Sequence, residues 1–507
     1  MATILLCTLN ARHAHASLGL RYLLANLGPL KDRAALLEFT IQRPAAEVVE
    51  AILEHAPQIV GFGVYIWNVE ETTRVVAMLK RVAPEVTIVL GGPEVSHETE
   101  EQTIVGLADY VITGWGELSF RRLCEDLIQG RAPAGKIIAG EEPPLGALRF
   151  PYAFYTDEDI AHRFVYVEAS RGCPYRCEFC LSALDKTAWP FPLDALLGEL
   201  DMLHRRGARH FRFVDRTFNL NPRTSLRILE FFLERLDERL FLHFEVIPDH
   251  LPDALRAALA RFPAGSLQLE IGVQSFNPQV QALISRRQDN ARTETNLRWL
   301  RQHTQAHLHV DLIVGLPGED MASFAAGFDR LVTLRPHEIQ VGMLKRLRGA
   351  PICRHTEAFG LRFSPHPPYE ILATDRIPFA DMRRLARFAR YWDLIGNSGR
   401  FPHTLPLLLG ESPFARFLAF SDWLWQATRQ THGFALERLF DLLHRGLPAV
   451  LHLNAAEVEA ALALDYRTSR AHGTPAFLRS CRLPAADRDT RRARQLRHQQ
   501  AQQVGKN

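Results

Sequence analysis

At roughly 150 residues per domain, 507 residues amount to about three domains, which excludes a single small module. An apolar share of 47% with 23% charged residues excludes wholesale disorder. Sixty basic against 57 acidic residues leave a net charge of +3, which gives no support to a nucleic-acid wrapper. Seven cysteines in so long a chain are not a disulfide scaffold. The opening MATILLCTLNARHAH lacks the basic segment of a secretory signal, and no apolar run approaches the ~18 residues of a membrane span. A cytoplasmic, reducing setting without membrane or nucleic-acid partners is expected.

From the start to about residue 140, six short apolar runs (ATILLCTLN, AALLEFT, IVGFGVYI, TIVLGG, ADYVITG, KIIAG) alternate with helical patterns. This alternation predicts a doubly wound α/β module with a parallel sheet, whose ligands lie beyond the strand carboxyl ends. A Pro/Gly-rich stretch, 141–162, reads as a linker. Over 163–360 six further runs (RFVYVEAS, ARHFRFVD, LFLHFEVI, SLQLEIGVQS, HLHVDLIVGLP, HEIQVGMLK) are again separated by helical patterns. They predict a partial (β/α)6 TIM-like barrel with its working loops at the strand carboxyl ends. Pro222 and Pro252 mark helix starts there. Over 361–484 only helical spacing remains, with Trp423 and Trp425 assigned to the core, and 485–507 is a basic, polar tail expected to fray.

The strongest local signal is Ser170-Arg-Gly-Cys173-Pro-Tyr-Arg-Cys177-Glu-Phe-Cys180, directly after the barrel's first run. Soft thiolates suit iron–sulfur clusters or zinc. A closed zinc site needs four ligands, usually as two spaced pairs, whereas here three cysteines stand in a C-x3-C-x2-C pattern. Zinc with a histidine as fourth ligand is the alternative, and the spacing ranks it second. Cys7, Cys124, Cys353 and Cys481 are scattered and read as buried small apolar residues.

This pattern, with an aromatic before the last cysteine, resembles the radical S-adenosylmethionine (SAM) superfamily, and the resemblance extends over all six runs of the middle block. It implies a 4Fe–4S cluster on Cys173, Cys177 and Cys180, with the SAM amino and carboxylate groups on the fourth iron. One electron then cleaves SAM to methionine and a 5′-deoxyadenosyl radical. It also implies SAM contacts. Phe179 takes the aromatic position beside the adenine, Glu245 receives the SAM amino group, Gln274 and Asp311 meet the ribose, and Arg286 meets the carboxylate. Gly315, with Pro317, shapes the turn at the adenine, and Asp215 stands where the second-strand SAM motif lies. A carboxylate in a strand as apolar as that of Glu245 needs a cationic partner.

The first block resembles the cobalamin-binding domain of cobalamin-dependent radical SAM enzymes. The resemblance implies that Gly91, Gly92 and Pro93 flank the nucleotide tail, with Gly114, Gly116 and Glu117 alongside. Tyr65 and Trp67 offer apolar surface to the corrin, and His13 and Ser17, in the loop after the first strand, are further cobalamin contacts. Dinucleotide binding is the competing reading, but no G-x-G-x-x-G follows the first strand. The D-x-H-x-x-G of mutase-type modules is also absent: Asn10-Ala-Arg-His13-Ala-His15 has other spacing, so the lower cobalt ligand stays open.

The third block is similar to the helical carboxyl-terminal domain of a cobalamin-type radical SAM subfamily that brings no substrate with it. The expected activity is methylation of an unactivated carbon of an unknown substrate, served by 4Fe–4S cluster, SAM and cobalamin, with an electron donor such as flavodoxin or ferredoxin. A cobalamin-dependent cyclase or rearrangement enzyme shares every motif, and a non-catalytic cobalamin or iron–sulfur sensor is a rival from another class. A tRNA methylthiotransferase would need three further cysteines in the first block, which has only Cys7 and Cys124.

Overall fold

Ile4–Asn10 (β1) is buried at all seven positions, because helices cover both faces of the sheet it belongs to. In this computed structural model residues 3–185, 187–469 and 473–478 are described. β1 pairs in parallel with β2 (Ala34–Thr40) and β3 (Ile59–Gly63); β4 (Thr87–Gly91), β5 (Tyr110–Thr113) and β6 (Ile137–Ala139) follow, in the order β2-β1-β3-β4-β5-β6. Helices Ala45–Leu53 and Val69–Val82 pack Val48, Ile52, Val75 and Leu79 on one face. Helices Leu18–Ala25 and Glu117–Ile128 pack Leu20, Leu24, Phe120 and Leu123 on the other. Strand order reverses between β1 and β3, and this switch point opens a crevice at their carboxyl ends.

The second sheet begins at β7 (Val165–Val167). A two-stranded ribbon follows, β8 (Ser170–Gly172) against β9 (Ala188–Pro190). The parallel strands β10 (His210–Phe213), β11 (Phe241–Val246), β12 (Leu267–Gln274), β13 (His307–Val314) and β14 (Glu338–Met343) complete an open sheet of six, ordered β14-β13-β12-β11-β10-β7. The period of two decides which side chains face where. In β12, Leu267, Leu269, Ile271 and Val273 are buried under the outer helices, leaving Gln268, Glu270, Gly272 and Gln274 on the concave side. Helices do start at these prolines: Pro222 is the first residue of one, capped by Asn221, and Pro252 is the N-cap of Asp253–Leu259.

An open sheet has two edges that need partners. At β7 the tyrosines of 141–162 serve: Tyr155 Oη accepts from Tyr166 N (3.0 Å) and Tyr152 Oη from Glu168 N (3.1 Å), both rings being fully buried. At β14 the Asn397 amide completes a strand-like pair, accepting from Ile339 N and donating to Ile339 O, each at 2.9 Å. Asn397 follows helix Phe379–Ile395, the first of a helical region with Thr404–Leu409, Pro413–Thr428, Leu436–Leu451 and Ala455–Ser469.

Strand does not vanish from this region, as the spacing had suggested: β15 (Arg362–Phe363) pairs antiparallel with β16 (Ile371–Ala373). The pair is too short to leave a periodic trace. Trp423 and Trp425 are half-buried, not enclosed, and Arg387 and Arg429 stand over the Trp425 ring. Cys353 is likewise half-buried, while Cys481 and the tail 485–507 lie outside the described residues. Among the described residues no helix is long and apolar enough to cross a membrane.

Candidate active site

Cys173, Cys177 and Cys180 stand on the loop that the β8–β9 ribbon closes. Gly172, at φ +90°, is needed there, because a Cβ would run into the Thr187 carbonyl oxygen. The loop is pinned through Glu178, between two of the cysteines. Its backbone pairs with Ile284 O (3.0 Å) and Ile352 N (2.9 Å). Its buried carboxylate accepts from Ser285 Oγ (2.5 Å), meets His355 Nε2 at 2.9 Å and is paired with Arg354.

All three cysteines line one cavity of about 250 Å³ with Tyr175, Phe179, Arg216, Glu245, Glu270, Gln274, Arg286 and Asp311. Burial pushes the Cys173 thiol up to about 11 and raises that of Cys177, although Arg286 opposes the rise at Cys177. A bound metal is what converts such thiols to thiolates. Among the described residues no three His, Cys, Asp or Glu side chains gather about one ion position.

The cavity holds complementary polar groups. Arg286 Nη1 lies 3.5 Å from Cys177 Sγ, and its Nη2 donates to the Gly272 carbonyl. Glu245 has the cationic partner its burial requires in Arg216, whose Nη1 reaches the two carboxylate oxygens at 3.1 and 3.3 Å. Burial still raises the Glu245 pKa, and nearby Glu270 adds to the rise. Gln274 occupies the left-handed region at φ +70°, beside an irregularity in the β12–β13 pairing, and its buried Oε1 has no partner. A strained residue with an unpaired acceptor on a cavity wall is a place prepared for a ligand donor. Below it, His309 stands between Asp311 and Glu338, each 3.3 Å away, and despite burial they push its pKa up to about 10. Three soft donors beside guanidinium and carboxylate groups fit a thiolate-held cluster adjoining a zwitterionic ligand.

Two expected SAM contacts are not on this cavity. Asp215 is buried and accepts from Ala169 N (2.9 Å) and Ser170 Oγ (2.6 Å), fastening the start of the cysteine loop; burial without a cation pushes its pKa to about 7. Strand parity explains this placement: Asp215 follows Phe211 and Phe213 to the outer side, while Arg216 follows Arg212 to the inner one. Gly315, at φ +89°, is buried against the helical region, where a Cβ would come within 2.7 Å of Ile371 Cγ2.

In the first module Asn68 organises the crevice. Its Nδ2 donates to Leu9 O and Gly63 O, each at 3.1 Å, and its Oδ1 accepts from Tyr65 N at 2.8 Å. This holds Tyr65 and Trp67 in a stack with centroids 4.4 Å apart and Trp67 exposed. Ser96 Oγ joins two of the glycine turns, accepting from Gly114 N and donating to Gly92 O. Gly114, at φ +71°, faces open space, and Gly91 and Pro93 sit beside it on the same edge. Other expected cobalamin contacts have partners within the protein. Ser17 caps helix Leu18–Ala25, Gly92 packs on the Val64 backbone and Gly116 on Leu23. Glu117 is buried in an ion pair with Arg171 at 2.6 Å. His13 is exposed, whereas His15 leaves the crevice to meet Tyr166 Oη at 2.6 Å.

Residues 5–124 match the B12 binding domain, residues 167–331 the Radical SAM superfamily, and residues 357–505 a protein of unknown function, DUF4080. The chain thus combines a B12-binding domain with a radical SAM core. Cobalamin-dependent radical SAM enzymes are its homologues: TokK of Streptomyces tokunonensis, a cobalamin-dependent radical SAM methyltransferase, is 27% identical over 368 residues, 64% of this chain and 52% of TokK. The chain spans about half the length of the curated relatives it matches. TsrM from Kitasatospora setae, solved with cobalamin and a [4Fe-4S] cluster, aligns at TM-score 0.58 and 19% identity over 73% of this chain and 82% of its own. OxsB, a cobalamin-dependent S-adenosylmethionine radical enzyme, aligns at 0.60 and 14% identity over 92% and 79%. Both share the fold.

In the radical SAM core, sequence reasoning missed Arg216, Glu178 and Glu270. Parity counted from Phe211 was a signal for Arg216. Glu178 had a weaker one, as a carboxylate between cysteines that must find a cation. The partner of Glu270, His243 Nε2 at 3.0 Å, comes from a different strand. Asn68 of the B12-binding domain carried no signal beyond ending a strand run.

Proposed function

We propose that the protein is a cobalamin-dependent radical SAM enzyme that methylates an unactivated carbon. The observation that carries this reading is the single cavity where three loop thiols share walls with Arg286, Gln274 and Glu245, in a chain that also carries a B12-binding domain. The naming of TokK as a methyltransferase supports the methyl-transfer part. When bound, a 4Fe–4S cluster, SAM and cobalamin together supply one-electron cleavage and a transferable methyl group. Cys173, Cys177 and Cys180 hold the cluster. Arg286 binds the SAM carboxylate through its planar fork, Glu245 the amino group, and Gln274 and Asp311 the ribose hydroxyls. Glu245 exchanges its bond to Arg216 for one to the ammonium, leaving Arg216 to face the substrate. Tyr65 and Trp67 lie against the corrin, and Gly91, Pro93 and Gly114 leave room for the nucleotide tail. The electron comes from a donor such as flavodoxin or ferredoxin.

The test is anaerobic reconstitution with iron, sulfide and cobalamin, then assay of 5′-deoxyadenosine and S-adenosylhomocysteine from SAM under reduction. Both products are expected, together with a bound-cobalamin spectrum. Deoxyadenosine without the homocysteine product would replace methyl transfer by cyclisation or rearrangement, and neither product would point to a sensor. Cys177→Ser is expected to lose both the cluster and SAM cleavage; persistence of either refutes the cluster assignment.

A further inference from the structure

Arg171 stands two residues before Cys173, on the ribbon that closes the cysteine loop, yet it does not line the cavity. It points into the joint between the two modules. Nη1 donates to Glu117 Oε1 of the B12-binding domain at 2.6 Å. Nε and Nη2 reach Glu168 Oε1 of the core at 2.9 and 2.8 Å. Both carboxylates are 6% exposed, so one guanidinium compensates two buried acids. Its face lies over Tyr22 and Trp115 from one module and Phe191 from the other, with centroids 4.4, 4.9 and 5.6 Å away. Tyr22 and Phe191 join Leu145 and Leu148 in a small separate core around it.

Only a planar fork with an aromatic-compatible face satisfies all these neighbours, which lysine does not. The lever is also short. Two residues of extended chain span at most about 7 Å, and Gly172 between them is locked against Thr187. Displacement of Arg171 therefore passes to Cys173 with little slack. Exposed ion pairs contribute little, but removing one member of a buried set leaves an uncompensated charge.

We infer that Arg171 is a positioning residue that fixes the cysteine loop against the B12-binding domain, and so sets where the cluster stands relative to cobalamin. What the two modules hold rests on the function proposed above; the tether is a property of the chain itself. Hydrogen exchange on the full-length protein tests it. Arg171→Met is expected to speed exchange roughly 100-fold in both 115–120 and 170–180, with β3 and β12 unchanged. Arg171→Lys falls between this variant and wild type. Glu117→Gln keeps the side-chain volume and an acceptor oxygen but removes the charge from the arm between modules; it is expected to speed both segments roughly 10-fold, and it carries the test if Arg171→Met does not fold. Exchange that rises on one side of the joint alone, or evenly over the chain, overturns the inference.

A second readout uses reconstituted protein. The magnetic coupling between cob(II)alamin and the reduced cluster is expected to report one distance in wild type and a broadened distribution in Glu117→Gln. An unchanged distribution overturns the positioning role. If wild type takes up neither cofactor, the proposed function fails while the exchange measurement still decides the tether.

Discussion

Asp215 and Arg216 are neighbours in the chain and face opposite ways, one fastening the cysteine loop from outside, the other pairing with Glu245 inside the cavity. A motif position identifies a place in the strand but not which of two adjacent side chains turns inward; parity does. His309 shows how strongly such inward groups couple. Asp311 and Glu338 raise its pKa from 6.5 to about 10 in the folded chain. Glu270 and Gln340 lie beside the same ring. A raised folded-state pKa means the native state holds the extra proton between these values, so its stabilisation is complete below pH 6.5 and lost as pH rises through about 10. Urea unfolding between pH 6.5 and 10 is expected to show a steeper loss of stability in wild type than in His309→Gln; parallel slopes would refute this account.

At the scale of elements, the β8–β9 ribbon is the piece that turns three cysteines into a site. It is only three residues a side, so propensity cannot form it; Gly172 and the joint around Arg171 do. Gly172→Ala places a Cβ on the Thr187 carbonyl at a left-handed φ and is expected to cost about 2 kcal/mol or more. Urea unfolding measures that cost, and iron uptake on reconstitution should fall with it. Unaltered stability would mean the ribbon is not closed by this contact. The sheet edges make a related point. β14 ends in an asparagine pair and β7 in tyrosine hydroxyls, partners that come from outside the barrel's own strands.

Across the whole molecule, three segments at the carboxyl edge of the first sheet reach beyond the B12-binding domain. The loop after β1 does so through His15, the helix after β5 through its first residue, Glu117, and the loop after β4 through Glu94 and Glu98. Glu94 is buried between Arg348 (2.9 Å) and Tyr369 Oη (3.0 Å), and Glu98 pairs with Arg346 at 2.8 Å. These contacts predict one calorimetric transition for wild type. Arg348→Ala leaves Glu94 with a single polar partner, and the B12-binding domain is expected to melt separately and earlier. An undivided, unshifted transition would show that this clamp does not couple the modules.

Both six-stranded sheets are legible in the sequence, because each strand is a short apolar run between helical periods, and so is the cysteine loop, because three thiols within eight positions need no distant information. The resemblance to the radical SAM superfamily singled out Glu245, Gln274, Arg286 and Asp311, and the fold brings all four to one cavity. Only the tertiary structure decided the rest. That Glu117 pairs across the modules and does not line the crevice, that Gly315 makes room for Ile371, and that Glu178 is held by Arg354 and His355 all depend on residues 50 to 180 positions apart. Local pattern fixes the direction of a side chain relative to its own strand; which group stands opposite it is fixed by how sheets, ribbon and helices pack, and buried charges take their partners from that packing.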